Sequence, residues 1–229
     1  MNTIDTLLSL TKGKEVILFG ELHGTKEIPH LLEKFFRTLA ELETFNIALE
    51  IPRSCQSSVD IFLMNGNEQH LKTLEFFKNI SESDGRNSRE YLELIKNTYT
   101  INKNKQQKIS IFCIDLDVYP SGKTAQEEKE ETLTKKVLDL AKYGRLFVIL
   151  GDIHAAKKII TLGDKEIIPA GYRLASQLKE KVISIRLSPQ SGSFFNRTKK
   201  IVSQENKSFD DYFDYAILLK KVSPCSFIS

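Results

Sequence analysis

Val16-Ile17-Leu18-Phe19-Gly20-Glu21-Leu22-His23 and Leu146-Phe147-Val148-Ile149-Leu150-Gly151-Asp152-Ile153-His154 share one order: an apolar run, a glycine, an acid, an apolar residue and a histidine. Short runs rich in Val, Ile and Phe read as buried strands. Each is expected to end in a sharp turn at its glycine, presenting an acid and an imidazole. Two of the four histidines in the chain sit in these strings, so the pair marks a candidate active site.

Outward from the strings, strand and helix patterns alternate. Ile28, Leu31, Leu32, Phe35, Phe36, Leu39 and Leu42 follow helical spacing, with Thr25 as the expected cap. Phe45-Asn46-Ile47-Ala48-Leu49-Glu50-Ile51 reads as a strand stopped by Pro52. Residues 54–80 suggest two helices broken around Asn65-Gly66-Asn67, followed by a polar loop over 81–88. Asn87 with Glu90 fits a capping box for a helix to about residue 101. A strand over 108–115 leads to a charged helix over 124–142 with Leu133, Val137, Leu138 and Ala141 as its inner stripe. A helix over 170–181, a strand over 182–187 and a late edge strand over 215–222 complete the pattern. The expectation is an α/β fold: a central mixed, largely parallel sheet flanked by helices, with the site at the carboxyl ends of the strands. One domain over 1–229, with a helical insertion at about 54–101, accounts for the length.

With 33 basic against 30 acidic residues the charge is nearly balanced, which gives no reason to expect a nucleic-acid partner. No apolar run reaches the roughly twenty residues that span a bilayer, so no membrane partner is expected either. Cys55, Cys113 and Cys225 lack metal-type spacing and are odd in number, so they read as reduced thiols. The N-terminal residues do not read as a secretory signal, and the cytoplasm is the expected compartment. Ser121-Gly122-Lys123-Thr124 lacks the upstream glycine of a phosphate loop. The oligomeric state is open.

The strand ends carry the chemistry. Glu21 and His23, then Glu50, then Asp115, then Asp152 and His154 fall at the carboxyl ends of four expected strands. Neighbouring carboxylates repel one another unless a metal, a proton or an arginine neutralises them. Imidazole with carboxylate suits zinc, manganese or cobalt, and equally a general base with its orienting acid. Gly20 and Gly151 would allow positive φ or close backbone approach. Arg86, in the loop Asp84-Gly85-Arg86-Asn87-Ser88, would suit a carboxylate, phosphate or oxyanion. His30 and His70 lack partner motifs and read as solvated.

At Gly20-Glu21-Leu22-His23-Gly24-Thr25, Ala48-Leu49-Glu50-Ile51-Pro52, Asp84-Gly85-Arg86 and Gly151-Asp152-Ile153-His154-Ala155, the chain resembles the superfamily of erythromycin esterases, ChaN-like haem-binding proteins and the Tiki/TraB group. The resemblance implies one pocket holding both motif histidines and the acids. Its branches imply a hydrolase that activates water with a histidine, a metal-dependent peptidase, or a haem binder. The resulting expectation is a metal-assisted hydrolase of an ester or amide in a small-molecule substrate. Glu21, His23, Glu50 and His154 would be catalytic, Arg86, Asp115 and Asp152 would bind substrate, and Glu21, His23 and His154 would hold a divalent metal. A haem- or metal-binding protein without turnover is the alternative.

Overall fold

The structure, a computed structural model, describes residues 2–80, 83–119, 121–122, 124–162, 164–202 and 209–228. Residues 81 and 82 of the expected polar loop, and Lys123 of the rejected phosphate-loop string, lie outside them. The chain begins with α1 (Thr3–Thr11), β1 (Val16–Glu21), α2 (Glu27–Ala40) and β2 (Asn46–Pro52). Helices α3 (Gln56–Asn65), α4 (Gln69–Lys72), α5 (Glu75–Lys78) and α6 (Arg89–Lys103) follow, and then β3 (Ile111–Asp115). Next come α7 (Ala125–Ala141), β4 (Leu146–Gly151), the single turn α8 (Asp152–Ala155) and the ribbon β5 (Ile160–Leu162) with β6 (Lys165–Ile167). Last are α9 (Ala170–Leu178), β7 (Val182–Pro189), the ribbon β8 (Ser193–Asn196) with β9 (Thr198–Ile201), and β10 (Tyr215–Leu219).

Six strands form one sheet in the order β10-β7-β1-β4-β2-β3, and every pairing in it is parallel. Antiparallel pairing among the described residues is found in the two ribbons and in an isolated bridge between Thr25 and Pro224. The α/β reading holds, with β10 at one edge. The two motif strands, far apart in sequence, are nearest neighbours: Gly20 pairs with Leu150 and Glu21 with Gly151.

Side chains alternate across a strand, and here the alternation builds two cores. Ile17, Phe19, Phe147 and Ile149 face α2 and α6, whereas Val16, Leu18, Val148 and Leu150 face α7 and α9. A sheet covered on both faces needs apolar residues at every strand position, which explains the unbroken runs. On the first face Phe19, Phe35, Phe36, Phe45 and Phe147 form a ring cluster, with Phe45 and Phe147 centroids 5.2 Å apart in edge contact. The helices of residues 56–103 add to this face through Val59, Phe62, Leu71, Phe77 and Tyr91.

Two capping expectations are corrected. Ser88, not Asn87, caps α6 by accepting from the Tyr91 amide at 3.3 Å. Asn87 instead donates to the Phe76 and Asn79 carbonyls, and Glu90 accepts from the Ser226 amide and hydroxyl. Thr25 makes no cap bond, because it is drawn into a bridge with Pro224, and α2 begins after Lys26. The three cysteines are free and buried, and burial pushes the thiol of Cys55 up to about 11. No helix among the described residues is long and apolar enough to cross a membrane.

Candidate active site

The two central strands end in different ways. Neither motif glycine has positive φ: Gly20 lies inside β1 and, contrary to expectation, makes no turn, whereas Gly151 ends β4 and caps the helical turn α8 that follows at once. Their role is close approach. A Cβ on Gly20 would sit 2.5 Å from the Phe213 ring, and one on Gly151 would sit 2.9 Å from His23 Nε2. The turn after β1 is made at Gly24, with φ +80°. After β4 the chain enters α8, which carries Asp152 and His154.

Strand alternation sends each carboxylate to one face. Glu21, two residues beyond Phe19, emerges on the α6 side, where the Tyr91 hydroxyl donates to its Oε1. His23 Nδ1 lies 2.6 Å from the same oxygen. Glu50, two residues beyond Ala48, emerges on the α7 side. Pairing of β2 with β4 stops at Leu49 and Ile149, which leaves the Gly151 amide free to donate to Glu50 Oε2 at 2.7 Å.

The second dyad has a partner from a helix. His154 Nδ1 lies 2.7 Å from Oε1 of Glu130 in α7, whose other oxygen accepts from the Ala170 amide at 2.8 Å. Both imidazoles therefore have a buried carboxylate on Nδ1 and turn Nε2 to Glu50. His23 Nε2 lies 3.5 Å from Oε2 and His154 Nε2 lies 3.4 Å from Oε1. Glu50 sits between two carboxylate–imidazole dyads.

The charges are arranged to hold that geometry. Burial disfavours a charged His23, but the bonds to Glu21 and Glu50 and the nearby charges of Glu21 and Asp84 outweigh it and push its pKa up to about 10. Burial likewise opposes ionised Glu50, but His154, Arg86, Lys129 and His23 hold it well below the usual carboxylate range. Lys129 donates to Glu50 Oε1 at 2.7 Å and lies 3.3 Å from Asp115 Oδ1.

Arg86 donates to the backbone and side chain of Glu50, to both oxygens of Asp84, to Asp115 Oδ2 at 2.6 Å and to the Tyr119 hydroxyl. A guanidinium so fully used is a clasp on three carboxylates, not a free anion receptor. Asp115 is 1% exposed and sits behind Glu50, bound to Arg86, Tyr119 and its own neighbouring amide at Leu116. Asp152 reaches the cleft and pairs with buried Arg186 at 2.6 Å, and its Oδ1 has no hydrogen-bond partner among the described residues. His30 is exposed and His70 lies beside Asn65; neither lines the cleft.

Glu21, His23, Glu50, Asp152 and His154 line one cleft of about 950 Å³ at the carboxyl ends of the strands, with Arg86, Lys129 and Tyr119 on one wall. Glu130, Tyr91, Lys129 and Arg186 are not singled out by the sequence patterns. For Glu130 a signal exists: the stripe Leu133 and Val137, extended three residues back, reaches it.

The expected metal ligands need correction. Glu21 holds the Nδ1 edge of His23, and both Nε2 atoms face a carboxylate already bound by a lysine and an arginine. Among the described residues no group of three His, Cys, Asp or Glu side chains is placed to hold a metal ion. Glu21, His23 and His154 do not fit a shared ion in this arrangement.

No protein-family model matches the chain, and no curated protein matches it in sequence. Solved structures do. A variant of the erythromycin esterase EreC with one histidine changed to asparagine, in its open conformation, superposes with a TM-score of 0.63 at 11% identity, covering 86% of this chain and 78% of that one. The chain shares its fold with that esterase. A succinoglycan biosynthesis protein superposes with a TM-score of 0.74 at 13% identity, covering 99% of this chain and 95% of that one. A Bacillus cereus protein follows at 0.64 and 11%, covering 100% and 94%. At these identities the likeness is one of fold.

Proposed function

We propose that the protein hydrolyses an ester or amide bond in a small substrate by imidazole acid–base chemistry. The observation that carries this is the pair of dyads, Glu21–His23 and Glu130–His154, meeting at Glu50 in one cleft. A carboxylate on Nδ1 fixes the tautomer of a neutral imidazole so that Nε2 carries the lone pair. In this reading the neutral form of His154 takes a proton from water as the water oxygen bonds to the carbonyl carbon. His23, held protonated, stabilises the oxyanion and gives its Nε2 proton to the leaving alkoxide or amine as the carbon–heteroatom bond breaks. The products are an acid and an alcohol or amine. Glu50, between the two Nε2 atoms, is the short route by which the proton returns from His154 to His23.

Holding haem or a metal ion without turnover is the alternative use of the same imidazoles, and it requires Nε2 of at least one to leave Glu50. The two readings separate in one experiment. Turnover of a panel of 4-nitrophenyl esters and anilides is expected, abolished by His23→Asn and by His154→Asn in variants whose circular dichroism shows that they remain folded. Full activity in the double variant would overturn the proposal. A Soret band that appears on adding haem and shifts on replacing either histidine, with no turnover, would establish the alternative.

A further inference from the structure

The charges at the floor of the cleft are already paired. Asp84 and Glu50 share Arg86, Glu50 also holds Lys129, and Asp152 holds Arg186, which is bound in turn to Asp210. Two cations lining the same cleft have no side-chain partner among the described residues: Arg197 and Lys200, on the β8–β9 ribbon.

The ribbon sorts its side chains by strand alternation. Phe194 pairs with Lys200 and Asn196 with Thr198, and all four line the cleft. Phe195 and Lys199 form the intervening pair, whose side chains leave by the opposite face; Phe195 packs on Phe227 with centroids 4.7 Å apart. Arg197 occupies the turn in the left-handed region at φ 57°, its amide donating to the Ser83 carbonyl at 2.7 Å. A non-glycine residue in that region is uncommon and marks a position held by its surroundings.

The ribbon is also fixed to the catalytic loop. Gly24, next to His23, accepts from the Phe195 amide at 2.9 Å and from the Cys225 amide at 2.8 Å. A Cβ on Gly24 would lie 1.8 Å from the Phe195 carbonyl oxygen, so only glycine lets the two backbones meet. The cations are thus carried on a support joined to the residue beside a reacting imidazole. Phe194 and Phe209 add apolar surface to the same wall.

We infer that Arg197 and Lys200, with Phe194 and Phe209, form a subsite for the anionic end of the substrate, a carboxylate or phosphate on an apolar or aromatic body. The inference rests on the hydrolase reading for what is bound, and on the unpaired cations and fixed ribbon for where. It assigns the substrate class as esters or amides bearing a negative charge away from the scissile bond.

The test is calorimetric titration of the full chain with phenyl phosphate, benzoate and the neutral benzyl alcohol. The anionic probes are expected to bind and the neutral one to bind far more weakly, with the better anion distinguishing phosphate from carboxylate. Arg197→Ala and Lys200→Ala are expected to weaken the anions on the order of tenfold each, as loss of one charge-assisted hydrogen bond warrants. Lys199→Ala removes the same charge from the other face and is expected to change nothing. Equal weakening by Lys199→Ala, or equal binding of charged and neutral probes, overturns the subsite. Anion binding that persists without ester turnover supports the subsite while the hydrolase reading falls; turnover of neutral esters without anion binding does the reverse.

Discussion

Glu130 holds His154 through Nδ1 at 2.7 Å from the middle of a helix, matching the bond that Glu21 makes with His23 from a strand end. An imidazole held on Nδ1 keeps its orientation and basicity, and partners of this kind typically change activity about 10- to 100-fold when altered. Glu130→Gln keeps the shape and the bond from the Ala170 amide but removes the charge. It should lower kcat by about that factor with KM nearly unchanged. A kcat equal to wild type would remove Glu130 from the machinery.

The pH dependence of stability follows from His23 and Glu50. His23 has its pKa raised from 6.5 to about 10, so the folded state binds that proton more tightly than the unfolded chain. Its stabilisation is complete below pH 6.5, shrinks as pH rises, and is gone once pH passes about 10. Glu50 is shifted down, so its contribution is present above about 4.5 and lost as pH falls through the folded value. Urea midpoints should therefore fall on the alkaline side, and His23→Gln should flatten that limb. A His23 ring proton titrating near 6.5 by NMR would contradict this account.

The strand ends were legible because a buried parallel strand can carry an acid only where its pairing stops, and Glu21, Glu50 and Asp115 all stand there. The neighbour relation of β1 and β4 was not, since strand order depends on how helices cross over the sheet and not on the strands themselves. Glu130 lies among Glu127, Glu128, Lys129 and Glu131, where composition says solvent and only the inner stripe says otherwise. The β8–β9 ribbon escaped because Phe194 and Phe195 are consecutive and Thr198 to Lys200 are polar, a pattern set by a cleft wall with no core behind it.

Arg86 separates a clasp from an anion receptor. Its removal leaves Glu50 and Asp115, 3% and 1% exposed, with Lys129 as their remaining fixed cation. Removing one partner from a buried ionic network typically costs about 3–5 kcal/mol. Arg86→Ala is expected to lose stability on that scale in denaturant melts, and Arg86→Lys to recover only part, since one ammonium cannot reach acceptors on Asp84, Glu50, Asp115 and Tyr119 at once. A residue that served only the oxyanion would lower kcat and leave the melt alone.

Gly24→Ala tests the junction between catalytic loop and ribbon. The residue sits at φ +80°, which costs an alanine about 1–2 kcal/mol by itself. Its new Cβ would also lie 1.8 Å from the Phe195 oxygen, backbone that cannot rotate away as a side chain could. The ribbon must shift, and with it Arg197 and Lys200, while the bonds of Glu21 and Glu130 to their histidines are left in place. The variant should melt earlier and lose affinity for phenyl phosphate. Turnover of small neutral esters should fall less than turnover of charged ones, because only the latter need the displaced cations. Equal losses for both classes would mean that the junction serves His23 and not the ribbon.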